Sequence, residues 1–428
     1  MPTRSTCAQA GRRRAPLSSC VFSLDPRYSG CAIRGAIGRM ERTYEDVVGM
    51  LSPEKLGLDA AHLFPRMRQA YAAMQRTLLA SGRATAPLQM YILVTARCNL
   101  KCEMCFLIHQ GSLNTGRDHE LTRAEIRAII DQTAPFTIIT FSGGEPFARS
   151  DFMQILADTA ARRWVYVITN GTLLRPDDVR ALVQLAPKRP WGTGLVALGI
   201  SVLGPEDVHE QIAGIPGSFR RVRSTFQALQ EEKQRHGKAY PLLNLKTVLT
   251  GQSAPRLPDM VSVVEEWRPD VLTLQLESAV SFAFFDPLPK QAVAGAFHPE
   301  ILDQPPPDVA TLRPEVLTGV LEDFRAAWGN RSHPQLVIYP QTSLQRLPAH
   351  LQATPDLSKA WCSALWTDMA IGPWGDVSTC LAGTVGNIRE HRLKDLMNHP
   401  KYMDLRQHMR QRRISPACRG CCMLSESP

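Results

Sequence analysis

Cys98-Asn99-Leu100-Lys101-Cys102-Glu103-Met104-Cys105 sets three cysteines into eight residues, at the spacing C-x3-C-x2-C. The stretch directly follows Leu88-Gln89-Met90-Tyr91-Ile92-Leu93-Val94, a short apolar run that reads as a buried strand. Three thiolates packed this tightly must leave the strand and curl around one object. An iron–sulfur cubane takes four thiolates, so three local ligands leave one iron open to bind a small molecule. A structural zinc knuckle is the alternative. Zinc prefers four protein ligands, usually as two C-x2-C pairs, and His109 is the one nearby candidate for a fourth.

From residue 88 onward, strand-like and helix-like stretches alternate. Strands are expected at Phe136 to Phe141, Val165 to Thr169, Leu195 to Ser201, Leu243 to Leu249 and Val271 to Leu276. Helices are expected from the capping box at Thr122-Arg123-Ala124-Glu125 to about Thr133, and over Asp151 to Arg163, Pro176 to Leu185, Gly217 to His236 and Pro258 to Trp267. Six strands with intervening helices imply a parallel sheet covered by helices on its outer face. Six units are two short of a closed eight-stranded barrel.

The second strand runs into Ser142-Gly143-Gly144-Glu145-Pro146, and glycine there lets backbone approach a neighbour that a Cβ would block. Sites in α/β folds lie at the C-terminal ends of strands. Farther on come Thr169-Asn170-Gly171 at the end of the third strand and Ile200-Ser201-Val202-Leu203 at the end of the fourth. Taken in this order, the cysteine triad, the G-G-E-P turn and the later strand ends resemble the radical S-adenosylmethionine (SAM) superfamily. The resemblance implies that Cys98, Cys102 and Cys105 hold a 4Fe-4S cluster whose open iron chelates SAM. It gives Ser142, Gly143, Gly144 and Glu145 to the SAM amino group, Ser201 to the ribose and Asn170 to the same cavity. Met104 stands where relatives commonly carry an aromatic residue against the adenine, and a thioether can pack on a ring too. Leu203 replaces an aspartate common in that family stretch.

A second cysteine set closes the chain: Cys362, Cys380 after Gly375-Asp376, and Cys418-Arg419-Gly420-Cys421-Cys422. Two of these flank an expected hairpin around Gly375, and a C-x2-C pair follows an expected helix near Leu393 to Met397. Four thiolates suffice for a cubane or for zinc. The arrangement resembles the twitch domain, the short form of the SPASM extension, which implies a second, auxiliary 4Fe-4S cluster on Cys362, Cys380, Cys418 and Cys421. Cys422 is a spare thiol or an alternative ligand to Cys421.

The expected architecture is therefore α/β: a partial (β/α)6 radical SAM barrel over 88–277, a connecting region over 278–360 and a C-terminal SPASM/twitch domain over 361–428. The connecting region is expected to hold a helix from Pro314 to Trp328 and a strand from Leu336 to Tyr339. Residues 41–87 form a helical N-terminal segment, with helical spacing from Ala60 to Leu79. Residues 1–40 read as a disordered basic tail or a mis-assigned extension before Met40, in preference to a targeting peptide. This tail contains seven arginines and one aspartate, which is +6 of the chain's net charge of +9. The body is left with +3, so nucleic acid is not an expected partner. No apolar run reaches the roughly 18 residues of a membrane span. Oxygen-sensitive clusters point to the reducing cytoplasm.

The resemblance implies reductive cleavage of SAM to a 5′-deoxyadenosyl radical that abstracts hydrogen from a substrate, with flavodoxin or ferredoxin as the reductant. Oxidation or crosslinking of a small molecule or a peptide is expected. A small molecule is favoured over the peptide-maturase alternative, because 41–85 is short for a leader-binding module. The rivals from other classes are a non-catalytic iron–sulfur electron carrier, which has no use for a SAM pocket, and a zinc-stapled protein. The sequence singles out no catalytic side chain.

Overall fold

The computed structural model describes residues 82–188, 192–277, 312–352, 360–378, 380, 383–412 and 414–426. The helix expected over Ala60 to Leu79 and the reading of 1–40 lie outside these residues. Six strands appear where the apolar runs fall: β1 (Gln89–Leu93), β2 (Ile138–Ser142), β3 (Trp164–Thr169), β4 (Gly194–Ser201), β5 (Leu242–Leu249) and β6 (Val271–Leu276). Each pairs in parallel with its sequence neighbour. The sheet then goes past the six expected units. Strand β7 (Gln335–Tyr339) pairs parallel to β6, so the strand foreseen in the connecting region is the seventh parallel strand.

On the other edge, β9 (Asp368–Ile371) lies parallel to β1, followed by antiparallel β10 (Asp376–Ser378) and β11 (Thr384–Asn387). The ten strands run in the order β11-β10-β9-β1-β2-β3-β4-β5-β6-β7, an open mixed sheet and not a closed barrel. A separate two-stranded sheet joins β8 (Ala360–Cys362) to β12 (Leu424–Glu426).

Helices cover one face. They are α1 (Arg123–Asp131), α2 (Phe152–Ala160), α3 (Pro176–Gln184), α4 (Glu206–Ala213), α5 (Ser218–Arg235), α6 (Met260–Trp267) and α7 (Pro314–Trp328). Thr122 forms the expected capping box with Glu125 at the start of α1. The covered face is apolar: Met90, Ile92, Ile139, Phe141, Val165, Val167, Leu243 and Leu245 join one core with the helices. Trp267 anchors it, with its ring 5.3 Å from that of Phe219 and 5.4 Å from that of Phe226. Helix α4 was not foreseen. Nor was α9 (Pro400–Arg412), which follows the short helix α8 (Leu393–Met397). The buried stripe of α9 includes Arg406 beside Tyr402, Leu405 and Met409, which blurs the apolar period. Among the described residues, no helix is long and apolar enough to cross a membrane.

The C-terminal hairpin is fastened to the front of the sheet. Arg389 donates to both oxygens of Glu125 (2.6 and 3.2 Å) and to the carbonyls of His119, Glu120 and Trp374. The guanidinium draws the Glu125 carboxyl down to about 2. Trp374 in turn donates its indole N–H to the carbonyl of Gly116.

Arg149 holds the opening of the sheet from inside. Its guanidinium donates to the carbonyls of Val94 (2.8 Å) and Leu121 (2.7 Å) and pairs with Asp151. Substituting methionine keeps the stem but leaves two buried carbonyls unpaired, which should cost about 2–4 kcal/mol. Denaturant unfolding of Arg149→Met measures this, and a loss below about 0.5 kcal/mol, the scale of an ordinary surface substitution, would show the contact to be dispensable.

Candidate iron–sulfur and cofactor site

The cysteine triad occupies the loop leaving β1, and its shape is set by three neighbours. The first is the G-G-E-P turn after β2. The N–H of Gly144 donates to the carbonyl of Thr95 (2.8 Å), and that of Glu145 donates to the carbonyl of Arg97 (2.7 Å). A Cβ on Gly143 would stand 2.4 Å from the Thr95 oxygen, and one on Gly144 would stand 2.2 Å from the Arg97 oxygen. Gly143 also has φ +138, in the region that favours glycine. The two glycines are thus demanded by the approach of two backbone segments, in addition to any approach to a ligand.

The second neighbour is the loop before α1. Glu120 accepts from the Thr95 hydroxyl, the Ala96 N–H (3.0 Å) and the Arg97 guanidinium (3.0 Å). Asn114, held at φ +61, accepts from the N–H of Cys98 at 2.9 Å. The third neighbour is α4, whose last carbonyls, on Ile212 and Ala213, accept from the N–H groups of Glu103 and Lys101. Met104 and Cys102 pack against Leu203, Val208 and Ile212. Leu203 is therefore part of an apolar seat under the loop, which accounts for its departure from a polar residue.

Glu145 is fully buried. Its Oε1 accepts from the Phe147 N–H (3.1 Å) and the Thr169 hydroxyl (2.7 Å), and its Oε2 accepts from the Asn170 N–H (2.7 Å). The carboxylate therefore latches the β2 turn to the end of β3. Asn170, so positioned, donates to Asn99 Oδ1 (3.0 Å) and lies 3.8 Å from the Cys98 sulfur. Ser142 and Ser201 end β2 and β4 on the same edge of the sheet.

Burial pushes the thiol of Cys98 up to about 11 and that of Cys102 to about 12, helped by the neighbouring cysteines, and raises Cys105 as well. Three desolvated thiols that would repel one another as thiolates ionise poorly on their own and are suited to a metal centre that neutralises them.

Cys362, Cys380, Cys418 and Cys421 line one small cavity, walled by Leu365, Leu405, Met409 and Leu424. Buried Cys421 is held far above the ordinary thiol value by desolvation and by Cys422, Cys380, Cys362 and Cys418 around it. This donor set, four sulfurs around an apolar void, fits a cubane. Among the described residues, no three His, Cys, Asp or Glu side chains close on one point as a single ion requires. His109, the other candidate metal ligand, is exposed at the end of the helical turn Phe106–His109.

The sheet's other face was not read from the sequence. Gln89, Thr140, Tyr166, Asn244 and Thr273 share it. Gln89 bonds Thr140, and Asn244 links the Tyr166 hydroxyl to Thr273. Lys246, two residues after Asn244 on β5, points the same way. Its stem and the Tyr166 hydroxyl cross in front of Gly199, where a Cβ would stand 2.8 Å and 2.3 Å from them. Alternating polar residues in Asn244-Leu245-Lys246-Thr247 were the available signal.

An open, largely parallel sheet with one cysteine set past the C-terminal end of β1 and a second around the N-terminal end of β9 defines a class: α/β proteins built to hold iron–sulfur centres. A family model for the Radical SAM superfamily matches residues 92–252, and one for the SPASM iron–sulfur cluster-binding domain matches 362–422. The chain therefore carries a radical SAM domain and a C-terminal SPASM domain, which imply a 4Fe-4S cluster, SAM and auxiliary iron–sulfur binding.

It is 29% identical over 176 residues to Fe-coproporphyrin III synthase of Methanosarcina barkeri, 40% of each chain. It is 34% identical over 142 residues to the AdoMet-dependent heme synthase of the same organism, 32% of this chain and 38% of that one. The chain thus spans about 40% of the length of the curated relatives it matches. Streptococcus suis SuiB bound to S-adenosylmethionine shares the fold, with a TM-score of 0.56 at 17% identity over 86% of this chain and 80% of that one.

Glu145→Gln tests the latch. An amide must turn its NH2 toward the Asn170 N–H or toward the Phe147 N–H, so one donor–donor clash is unavoidable, at about 1–3 kcal/mol. Desolvation outweighs the three donors and lifts the Glu145 carboxyl from the ordinary 4.5 to about 7. The folded chain then holds that proton more tightly than the unfolded chain. Its stabilising contribution should be full below pH 4.5 and fade as pH rises to 7. Unfolding free energies across that window should show this slope in the wild type and lose it in Glu145→Gln, and identical slopes would contradict the assignment.

Proposed function

We propose that this chain is an enzyme that cleaves SAM reductively and uses the resulting 5′-deoxyadenosyl radical to take a hydrogen atom from a small-molecule substrate. The observation that carries this reading is the fastening of the Gly143-Gly144 turn to the Thr95–Arg97 backbone. It brings the cysteine loop and the ends of β2 and β3 to one edge of the sheet.

Cys98, Cys102 and Cys105 would hold the SAM-binding cluster. Ser142, Gly143, Gly144, Ser201 and Asn170 would shape the pocket for SAM, and Met104 would pack near its adenine. Glu145 would act by orienting Asn170. The cluster, when bound and reduced by a flavodoxin or ferredoxin, supplies the electron that breaks a sulfur–carbon bond of SAM. This chain's residues bind and orient the reactants and exclude water. Cys362, Cys380, Cys418 and Cys421 would hold one auxiliary cluster that accepts an electron from the substrate or positions it.

A small molecule is supported by the relatives, named as synthases of haem and of Fe-coproporphyrin III. A second reading, peptide modification, is favoured by the shared fold with SuiB, one structure of which is bound to the precursor peptide SuiA.

The roles of the two cysteine sets are separable. With dithionite and SAM, the reconstituted wild type should release 5′-deoxyadenosine and hold close to eight irons per chain, by the count of three plus four ligands. Cys102→Ala should release none, and undiminished cleavage would remove the triad from the active centre. The double variant Cys362→Ala/Cys380→Ala should keep SAM cleavage and fall to roughly half the iron. One zinc and four irons in the wild type would instead make the C-terminal set a structural staple.

A further inference from the structure

Lys246 is the sole charged residue in the seven parallel strands β1 to β7. It lies on the face turned away from the helices. Leu243, Leu245 and Leu249 on the same strand enter the apolar core, while Asn244 and Lys246 take the opposite side. Its register partners are Ser201 at the end of β4 and Thr273 on β6, so it sits close to the edge that carries the cysteine loop.

Gly199 leaves the gap across which its stem and the Tyr166 hydroxyl approach each other. Around it stand neutral groups, the Tyr166 and Asn244 side chains, which already bond each other. Cys422, next to Cys421 of the second cysteine set, is the titratable group whose electrostatics reach the ammonium. The Lys246 carbonyl accepts from the Val202 N–H (2.9 Å), but among the described residues its ammonium makes no hydrogen bond or ion pair.

A half-buried ammonium with no side-chain partner gives up part of its hydration without a hydrogen bond in return, and Asn, Thr or Gln would have completed the neutral network at less cost. The position is between the two cysteine sets, where a substrate would have to lie to meet both. We infer that Lys246 binds an oxyanion of the substrate, a carboxylate or a phosphate, and so fixes which C–H bond faces the SAM site. This rests on the enzymatic reading above and adds the substrate's charge class to it. An ammonium takes such a group through charge-assisted hydrogen bonds, and the neighbouring tyrosine and asparagine allow it a second, neutral donor.

Isothermal titration of the cluster-loaded, SAM-saturated protein tests the inference with three probes: succinate, inorganic pyrophosphate and the neutral succinamide. SAM saturation ensures that its own carboxylate has already taken its place. Saturable binding of succinate or of pyrophosphate is expected, and the tighter of the two identifies the oxyanion. Binding should weaken about tenfold or more in Lys246→Gln and stay within about threefold in Lys246→Arg, as a charge-assisted contact requires. Succinamide should not bind.

No binding of either anion, or equal binding by wild type and Lys246→Gln, would overturn the proposal. A change in iron content or in the electron paramagnetic resonance of the clusters in Lys246→Gln, with anion affinity unaltered, would assign the ammonium to Cys422 and equally overturn it. Release of 5′-deoxyadenosine by the wild type is measured apart, so failure of the radical reading is recorded independently of failure of the anion site.

Discussion

The constraint on which the rest depends is the contact between two pieces of backbone: the turn after β2 and the loop leaving β1. With a Cβ at either glycine, oxygen and carbon would meet at 2.2–2.4 Å, and the two N–H groups of Gly144 and Glu145 could not reach the carbonyls of Thr95 and Arg97. From that contact the order spreads outward. Glu145 carries it to β3, Asn170 carries it back to Cys98, and Glu120 and Asn114 brace the loop from the other side. A loop bearing three thiols has no regular hydrogen-bonding pattern of its own, so its geometry must be borrowed from neighbours in this way.

The same frame carries the second cysteine set. Strand β9 pairs with β1 in parallel, so the hairpin leading to Cys380 grows from the strand that leads to the triad. Arg389 and Trp374 then tie that hairpin to the loop before α1. A shared sheet is stiff across its hydrogen-bonded width. The two sets thus share one hydrogen-bonded frame, with β1 leading to the triad and β10 leading to Cys380.

The two faces of the sheet divide the work of stability and function. The helix-covered face is filled by aliphatic and aromatic side chains, which supply the burial that stabilises the fold. The opposite face holds hydroxyls, amides, tyrosines such as Tyr166 and Tyr339, and one lysine. Such groups contribute little to stability once paired, and unpaired they cost it. Their concentration on one face, in line with the strand ends, fits the substrate surface proposed above.

Read alone, the sequence determined the strands of the parallel sheet, because buried parallel strands are short apolar runs bounded by breakers, and it determined both cysteine sets, because ligand spacing is a local property. It also located the G-G-E-P turn and the polar strand ends. Tertiary structure decided what spacing cannot carry. Strand β7 and the hairpin β9–β11 extend the sheet at opposite edges, a matter of pairing between segments far apart in the chain. Glu145, read as a cofactor contact, is also a buried latch that ties the β2 turn to Thr169 and Asn170 at the end of β3. Helix α9 was hidden because Arg406, buried in its apolar stripe, finds the carbonyls of Leu365 and Gly82 only in the folded chain. Lys246 looked like an ordinary strand residue until alternation along β5 was joined to the register of β4 and β6. The direction a side chain faces is set by its strand, but what it faces is set by the strands beside it.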